Sequence, residues 1–290
     1  MAVGNTLTGT LADSLDTIVA SARSRREFDG VVPQLVDRVD LDANSGLDWK
    51  ETLFEQLEAQ AITEQTELDN PQAYSDSAIT IRPQMVQIQT FISDKVRRNL
   101  NAKSLAQMGK MPGQAMMRKR DEDGLTALDG STTQLGTANT PVVTGDVAAA
   151  RYRITSNATE PGNLPISAVF HGFCIKDFYD ELVAGMGTYP VPQGSTATVF
   201  ASGFNLPIAN VSVVEDGNIA IDGNADAKNF VFAREAWVLV NGMTLRTETR
   251  REPHIGGGGD SLFITDEYAY GERSPGNWSF EVIGDATAPA

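Results

Sequence analysis

The sequence is poor in the residue types that build disulfide frameworks and zinc sites. Its 290 residues include one cysteine, Cys174, and two histidines, His171 and His254. A single cysteine excludes an internal disulfide framework and is typical of a reducing cytoplasm, and the cysteine or histidine clusters of a zinc site are absent. The spacing of His171 and Cys174 permits a Cys–His nucleophile. We favour a buried helix cysteine beside a surface histidine.

The sequence also lacks long apolar runs and an excess of positive charge. No stretch approaches the roughly 20 apolar residues that span a bilayer, and residues 1–16 have no basic segment before an apolar one, so we expect neither a membrane span nor a secretory signal. The formal net charge of −15 argues against general nucleic-acid binding. With 41% apolar and 21% charged residues, the composition is that of a soluble globular protein with a sizeable core.

Residues 93–130 are predicted to form a long basic helix. Ser104 is a candidate N-cap, Ser93 offers an earlier, short helix, and Gly130 is the expected stop in a left-handed conformation. Pro112 predicts a kink, or a helix that begins there. An apolar side is expected from a four-residue spacing: Leu105, Gly109, Gly113 and Met117.

Charge is segregated between this helix and the segment before it. Residues 95–120 contain eight basic residues and no acid, so the rest of the chain carries −23. Residues 48–76 contain eight acids against Lys50 alone. A solvated helix face is the ordinary interpretation, and a surface for an acidic partner is the alternative. The basic candidates for such a contact are Lys95, Arg97, Arg98, Lys103, Arg118, Lys119 and Arg120. The acidic candidates are Glu55, Glu58, Glu64, Glu67 and Asp69.

Residues 40–51 have the oxygen spacing of a calcium-binding EF-hand loop, which makes them a weak metal-site candidate. The ligands would be Asp40, Asp42, Asn44, Asp48 and Glu51. Ser45 occupies the position where the loop needs glycine, and Gly46 comes one residue late. We therefore favour a polar turn. No cofactor is expected, and no catalytic constellation is evident.

The remaining elements are predicted from periodicity and turn residues. Residues 10–27 form an amphipathic helix that needs another surface, and residues 49–62 and 78–92 form two long strands around a polar tip, although the first could be helical. Residues 149–245 form a compact α/β unit with a helix at 171–183. Asn241-Gly242 predicts a hairpin turn, and Gly256–Gly259 predicts a turn rather than a phosphate loop, because no Lys-Ser/Thr follows.

The order of these parts resembles that of tailed-bacteriophage major capsid proteins with the Hong Kong 97-like fold. GLDWKETLFEQLEAQAITEQTELDNPQ (46–72) and ITIRPQMVQIQTFISDKVRRN (79–99) look like the two sides of that family's extended loop. GKMPGQAMMRKRDEDGLTALDG (109–130) looks like its spine helix.

The resemblance implies an α+β fold with five regions. These are an N-terminal arm (1–46), an extended β-hairpin loop (47–92), a spine helix with part of the peripheral domain (93–145), an axial α/β domain (146–240) and returning peripheral strands (241–290).

The resemblance also implies a function. It implies a structural, non-enzymatic protein that assembles as pentamers and hexamers into an icosahedral shell around double-stranded DNA. The shell would form in the host cytoplasm and become part of the virion. The implied partners are further copies of the chain, a portal and scaffold or decoration proteins, with no membrane. A cellular encapsulin-type nanocompartment shell shares the fold and stays open as an alternative, as does a single-site calcium-binding protein.

Overall fold

A computed structural model describes residues 27–28, 30–42, 46–65, 71–100, 102–131, 133–185, 207–255 and 257–289. The predicted arm helix at 10–27 lies outside these residues except for its last position. The described helices are α1 (Val32–Leu35), α2 (Asp94–Asn99), α3 (Ala102–Leu128), α4 (Thr144–Thr155) and α5 (Gly172–Gly185), with a 3-10 turn at Arg234–Ala236. The described strands are β1 (Asp37–Asp40), β2 (Trp49–Phe54), β3 (Asp76–Ile81), β4 (Gln84–Ser93), β5 (Gln134–Gly136), β6 (Ile166–Phe170), β7 (Ser212–Glu215), β8 (Asp226–Ala233), β9 (Trp237–Arg251), β10 (Gly259–Glu272) and β11 (Ser279–Asp285). No described helix is both long and apolar enough to cross a membrane.

Three sheets organise the described strands. A four-stranded sheet has the order β1-β9-β10-β4, a five-stranded sheet has the order β5-β11-β8-β6-β7, and β2 pairs antiparallel with β3 alone. The main core lies around the five-stranded sheet. Every residue of β6 is buried, which is typical of a strand covered on both faces. Phe170 at its end packs edge-to-face on Phe178 of α5, with 5.1 Å between ring centroids.

The long helix is present, but its boundaries and its buried side differ from the prediction. Ser93 does cap the short helix α2, since its Oγ accepts from the backbone N–H of Val96. Helix α3 begins at Ala102 rather than at Ser104 and runs through Pro112 without a break. It ends at Leu128, and Gly130 does not have a positive φ.

The expected apolar stripe of α3 is wrong. Gly109 and Met117 are exposed. The buried positions of α3 lie on another face, which packs on β10 and on the segment before α1: Ser104, Pro112, Met116, Asp121, Gly124, Leu125 and Leu128. The spacing did not show this face because an acid and a proline occupy two of its positions.

The extended hairpin is shorter than predicted, because the two long strands are interrupted. β2 ends at Phe54, and residues 55–63 have no regular structure. The returning strand is two strands, β3 and β4, separated at Arg82-Pro83. β3 pairs with β2, whereas β4 leaves the hairpin and pairs antiparallel with β10. Pro83 explains the separation, since proline has no N–H to continue a ladder.

Asn241-Gly242 is not a hairpin turn, which corrects that prediction. β9 continues through it to Arg251, and the chain reverses at the Gly-rich turn before β10. Met243 pairs with Glu267 and Asn241 pairs with Tyr268, so that Gly242 is the additional residue of a bulge. Glycine in a strand commonly marks such a bulge.

The predicted helix at 171–183 is confirmed as α5, and the α/β unit predicted at 149–245 also contains the strands β6, β7 and β8. The last strand is placed differently from the expectation. β11 pairs antiparallel with β8 inside the five-stranded sheet, and the short strand β5 pairs in parallel with the other edge of β11. The C-terminal segment therefore contributes β9 and β10 to the four-stranded sheet and β11 to the five-stranded sheet.

Candidate functional site

The hairpin formed by β2, β3 and the segment between them (residues 49–81, the extended hairpin) presents apolar side chains to solvent. Phe54 is 67% exposed, Ile62 is 63% exposed and Tyr74 is 78% exposed. Leu53 and Leu57 are also exposed. Contiguous exposed apolar side chains are typical of a protein–protein contact, so this element is the first candidate interaction surface.

Arg273 helps to fasten the root of the extended hairpin to the body, beside the packing of Ile81 on Val238 and Val240 of β9. The Arg273 side chain donates to Glu51 of β2 at 2.7 Å and to Asp37 of β1 at 2.6 Å. Its guanidinium also lies over the ring of Trp49, 6.0 Å from the centroid. Burial acts to lower the pKa of Arg273, but the hydrogen bonds to Asp37 and Glu51 outweigh it and raise the pKa. Arg273 therefore stays charged and holds the root of the hairpin.

A groove of about 700 Å³ lies beside this root. It is lined by β3, the beginning of β4, α3 and β10, and its charged or phenolic lining residues are Arg82, Lys119, Asp123, Tyr268, Tyr270 and Glu272. The Tyr268 hydroxyl donates to Asp123 at 2.8 Å, and burial raises the pKa of Tyr268. Lys119 also pairs with Asp123, so these groups bond to one another.

The acidic candidates lie along the extended hairpin as far as the structure describes them. Glu55 accepts from the Ser75 hydroxyl on the opposite side of the hairpin. Glu58 is exposed, and its backbone exchanges two hydrogen bonds with the Gln72 amide, at 2.9 and 2.7 Å. Glu64 is exposed in a turn. Glu67 and Asp69 lie outside the described residues.

The basic candidates divide into paired and unpaired groups. Arg97 pairs with Asp260, Lys119 with Asp123, Arg118 with Glu27 and Glu122, and Arg120 with Asp266. Lys95 and Arg98 are exposed and make no ion pair within the described part of the chain. The side chain of Lys103 lies outside the described residues. Among the described residues, no ion pair joins segment 48–76 to segment 95–120.

Three of the candidate calcium ligands contact protein groups outside the 40–51 loop, and Asp42 is exposed. Asp40 accepts from the Asn241 amide at 2.7 Å, Asp48 pairs with Arg82 at 3.1 Å, and Glu51 pairs with Arg273. Asn44 lies outside the described residues. No group of three or more potential ligands is close enough to hold a metal among the residues searched.

The Cys174–His171 pair does not have the character of a catalytic dyad. Burial raises the pKa of the Cys174 thiol to about 11, and burial lowers the pKa of His171, opposed by the nearby Glu215. The His171 Nδ1 accepts from the backbone N–H of Phe173 at 3.2 Å. The predicted burial of Cys174 is confirmed, and its sulfur is in contact with Asn229 of β8.

Arg273 is the functional residue that sequence reasoning missed. Its partners Asp37 and Glu51 are 236 and 222 residues away. A single arginine in the segment GERSPGN has no periodicity and no motif. Only the fold shows its role.

Comparison with known proteins identifies the fold through structure alone. Neither protein-family models nor curated protein sequences match the chain. Among solved structures, the capsid of cyanophage P-SCSP1u is similar at a TM-score of 0.72 and 15% identity, over 97% of this chain and 95% of that one. The capsid of Ralstonia phage GP4 gives a TM-score of 0.70 at 12% identity, over 95% and 96%. The cyanophage Pam1 capsid gives 0.69 at 11% identity, over 100% of both chains.

These similarities extend from end to end of both chains, at identities too low for sequence comparison to detect. They confirm the fold that the resemblance implied. The chain has the mixed helix and sheet fold of tailed-bacteriophage major capsid proteins.

Proposed function

We propose that this chain is a major capsid protein, which assembles as pentamers and hexamers into the icosahedral shell around the double-stranded DNA of a tailed bacteriophage. The observation that supports the proposal is the end-to-end similarity to three phage capsid structures, over 95% or more of every chain compared. The role is structural rather than enzymatic. The subunit would assemble in the host cytoplasm and become part of the virion, with portal and scaffold or decoration proteins as further partners.

The extended hairpin is the element that needs a neighbour. Its exposed apolar side chains and its acids lie away from the main core. We expect it to pack over the basic face of an adjacent subunit, where complementary charge sets register and steers association more than it adds affinity. Lys95 and Arg98 are the strongest candidates on that face, because acids of the same chain already neutralise Arg97, Arg118, Lys119 and Arg120.

Electron microscopy of the purified protein tests the proposal directly. Closed shells of uniform size are the expected result. Dispersed subunits at all concentrations, salts and scaffold supplements would contradict it.

Charge reversal tests the contact surface. Arg98→Glu should reduce shell formation and leave the unfolding midpoint of the subunit unchanged. Arg153→Glu is the matched control, because Arg153 is also an exposed arginine in the last turn of a helix, α4. Normal shells from Arg98→Glu would remove it from the contact. Normal shells that retain less DNA would instead place Arg98 on the inner surface against the genome.

The two alternatives gain no support from these observations. The compared structures are phage capsids, which favours a genome container over a cellular nanocompartment, and the nucleic-acid content of purified shells distinguishes the two. Calcium titration by calorimetry tests the remaining alternative, and we expect no binding at residues 40–51.

A further inference from the structure

Two buried carboxyl groups meet beneath the segment that leads into α1. Asp121 is on α3 and is 0% exposed, and Asp216 directly follows β7 and is 1% exposed. Residues 27–28 and 30–32, called the arm root below, lie against these two elements. Buried carboxylates are ordinarily paired with a cation, so an acid–acid pair in this position needs an explanation.

The arm root is packed closely onto both acids' elements. A Cβ at Gly30 would lie 2.4 Å from the Cβ of Asp121, and a Cβ at Gly217 would lie 2.4 Å from the ring of Phe28. Val32 packs against Gly124 of α3 in the same way, since a Cβ at Gly124 would lie 2.7 Å from Cγ1 of Val32. The two glycines at 30 and 217 thus make room for the arm root beside the acid pair.

All but one of the four carboxyl oxygens have a hydrogen-bond donor. Asp121 Oδ1 accepts from the backbone N–H of Val32 at 3.0 Å, and its Oδ2 accepts from the Asn218 side-chain amide at 2.9 Å. Asp216 Oδ1 accepts from the backbone N–H of Asn218 at 2.9 Å. Asp216 Oδ2 is buried and has no donor within the described residues. A proton on Oδ2 would let it donate to Asp121 and would complete the network.

The charged groups around the pair are already engaged elsewhere. Arg118 of α3 pairs with Glu27 and Glu122, and Arg120 pairs with Asp266. The Tyr270 hydroxyl of β10 donates to the carbonyl of Arg120. The other titratable groups that face this region are Arg38 of β1, which bonds to the Pro33 carbonyl, Asp123 of α3, which pairs with Lys119, and Glu215 of β7, which acts on His171.

A proton explains the pair better than a metal cation does. A hard cation such as Ca²⁺ needs six to eight oxygen ligands, whereas three of these four oxygens are already occupied by N–H donors. Burial raises the pKa of Asp216 to about 7, reinforced by Asp121 and opposed by the N–H groups of Asn218 and Val31. The direction agrees with a carboxylic acid that keeps its proton beside a carboxylate.

We propose that Asp216 and Asp121 share one proton, and that this proton keeps the arm root docked between α3 and the turn after β7. Loss of the proton leaves two negative charges facing each other in a buried site. Undocking relieves this repulsion because it exposes both carboxylates to water. The pair thereby makes the docking of the arm root on the body dependent on pH.

The direction of the pH dependence follows from proton linkage. The docked state binds one proton more than the undocked state at any pH between the ordinary aspartate pKa and about 7. Docking is therefore strongest at acidic pH and weakens as pH rises through this window. The opening constant of the arm root should increase about tenfold per pH unit and become constant above the upper limit.

Hydrogen exchange of the full-length protein measures this opening. Amides of residues 28–36 are followed between about pH 5 and pH 8, with correction for intrinsic exchange. The wild type should show the increase and the plateau. Asp216→Asn should show no slope, because its amide donates to Asp121 at every pH. Asp180→Asn, which alters an exposed acid of α5, is the matched control and should follow the wild type.

Three results would overturn the proposal. They are a flat wild-type profile, the same slope in Asp216→Asn, and a profile that changes when Ca²⁺ or a chelator is added, which would indicate a cation in place of the proton. If Asp216→Asn does not fold, infrared spectroscopy of the wild type decides: the carbonyl stretch of a buried carboxylic acid should be present at about pH 6 and absent when this acid is ionised. Its absence at the acidic limit contradicts the shared proton.

Discussion

Arg273 connects three parts of the chain that no backbone hydrogen bond joins directly: β1, the root of the extended hairpin and the 3-10 turn. Its guanidinium reaches Asp37, Glu51 and the carbonyl of Glu235. With only 19% of its side chain exposed, the ion pairs are less screened than those of the surface. Arg273 is thus the residue whose loss should most affect the hairpin root.

Replacing Arg273 by methionine should lower the free energy of unfolding by about 1–3 kcal/mol, because Glu51 loses its charged donor and Asp37 keeps only Arg234, at 3.4 Å. Urea denaturation measures the change. Arg246→Met is the matched control, since the Arg246–Glu248 pair is well exposed, and it should change stability by less than about 0.5 kcal/mol. Equal effects of the two substitutions would show that Arg273 is an ordinary surface residue.

The Cys174 thiol should not react with alkylating reagents in the native protein. Burial raises its thiol pKa to about 11, so that little thiolate is present near neutral pH and reagents cannot reach it. Iodoacetamide at about pH 8 should therefore label the protein only in denaturant, which mass spectrometry of the intact chain detects. Rapid native labelling would contradict the burial of this residue.

At the scale of residues, the sequence predicts the burial of a single side chain but not a contact between two side chains that are distant along the chain. The burial of Cys174 follows from its apolar helix face. The pairing of Asp121 with Asp216 could not be predicted from the sequence, because the two residues are far apart along the chain. The same holds for the bonds from Arg273 to Asp37 and Glu51. Among the basic candidates, the sequence could not separate the free Arg98 from the neutralised Arg120, because Asp266 comes from another strand.

At the scale of elements, the edge strand β5 depends on a glycine. Gly136 has φ +78°, and a Cβ there would lie 2.3 Å from the carbonyl oxygen of Ile283 in β11. Gly136→Ala should cost at least about 1–3 kcal/mol of stability from the backbone conformation alone, with more from the contact. Thermal or urea unfolding measures it.

The control is another glycine-to-alanine change. Gly109 is on the exposed side of α3, with no atom within 4 Å of a Cβ placed there. Gly109→Ala should stabilise the subunit by up to about 1 kcal/mol, because alanine is the better helix former. Destabilisation by both substitutions to the same extent would contradict the specific role of Gly136.

Local sequence signals predicted where elements exist better than how they pair. Helix α5 was predicted at 171–183, and returning strands were expected at 241–290, where β10 and β11 lie. The Asn241-Gly242 signal failed because the bulge and the hairpin turn favour the same residues. β4 was placed in the hairpin, whereas its partner is β10. Period-2 alternation shows that a strand has two faces, but it does not identify the strand beside it.

At the scale of the whole molecule, the extended hairpin should matter to assembly and not to folding. The double substitution of Phe54 and Ile62 by serine removes two well-exposed apolar side chains. Subunit stability should change by less than about 0.5 kcal/mol, whereas shell formation should fall severalfold, as scored by electron microscopy and sedimentation.

The conservative substitutions Phe54→Leu and Ile62→Val keep apolar surface and should restore assembly. Wild-type levels of shells from the serine variant would show that the hairpin does not contact a neighbour. A loss of subunit stability in the serine variant would show that these side chains are part of the fold.

The separation of β3 from β4 at Arg82-Pro83 has a mechanical consequence. β4, β10 and β9 form a three-stranded blade whose strands are 10, 14 and 15 residues long and which is anchored in the core through the buried residues 237–240. The extended hairpin is a two-stranded ribbon that joins this blade through a break in the ladder. We expect the blade to behave as a stiff strut and the ribbon as a compliant spring, with faster amide exchange in β2 and β3 than in β4 and β10. A force applied to the subunit by neighbouring molecules would then deform the extended hairpin, whereas the blade would keep its shape.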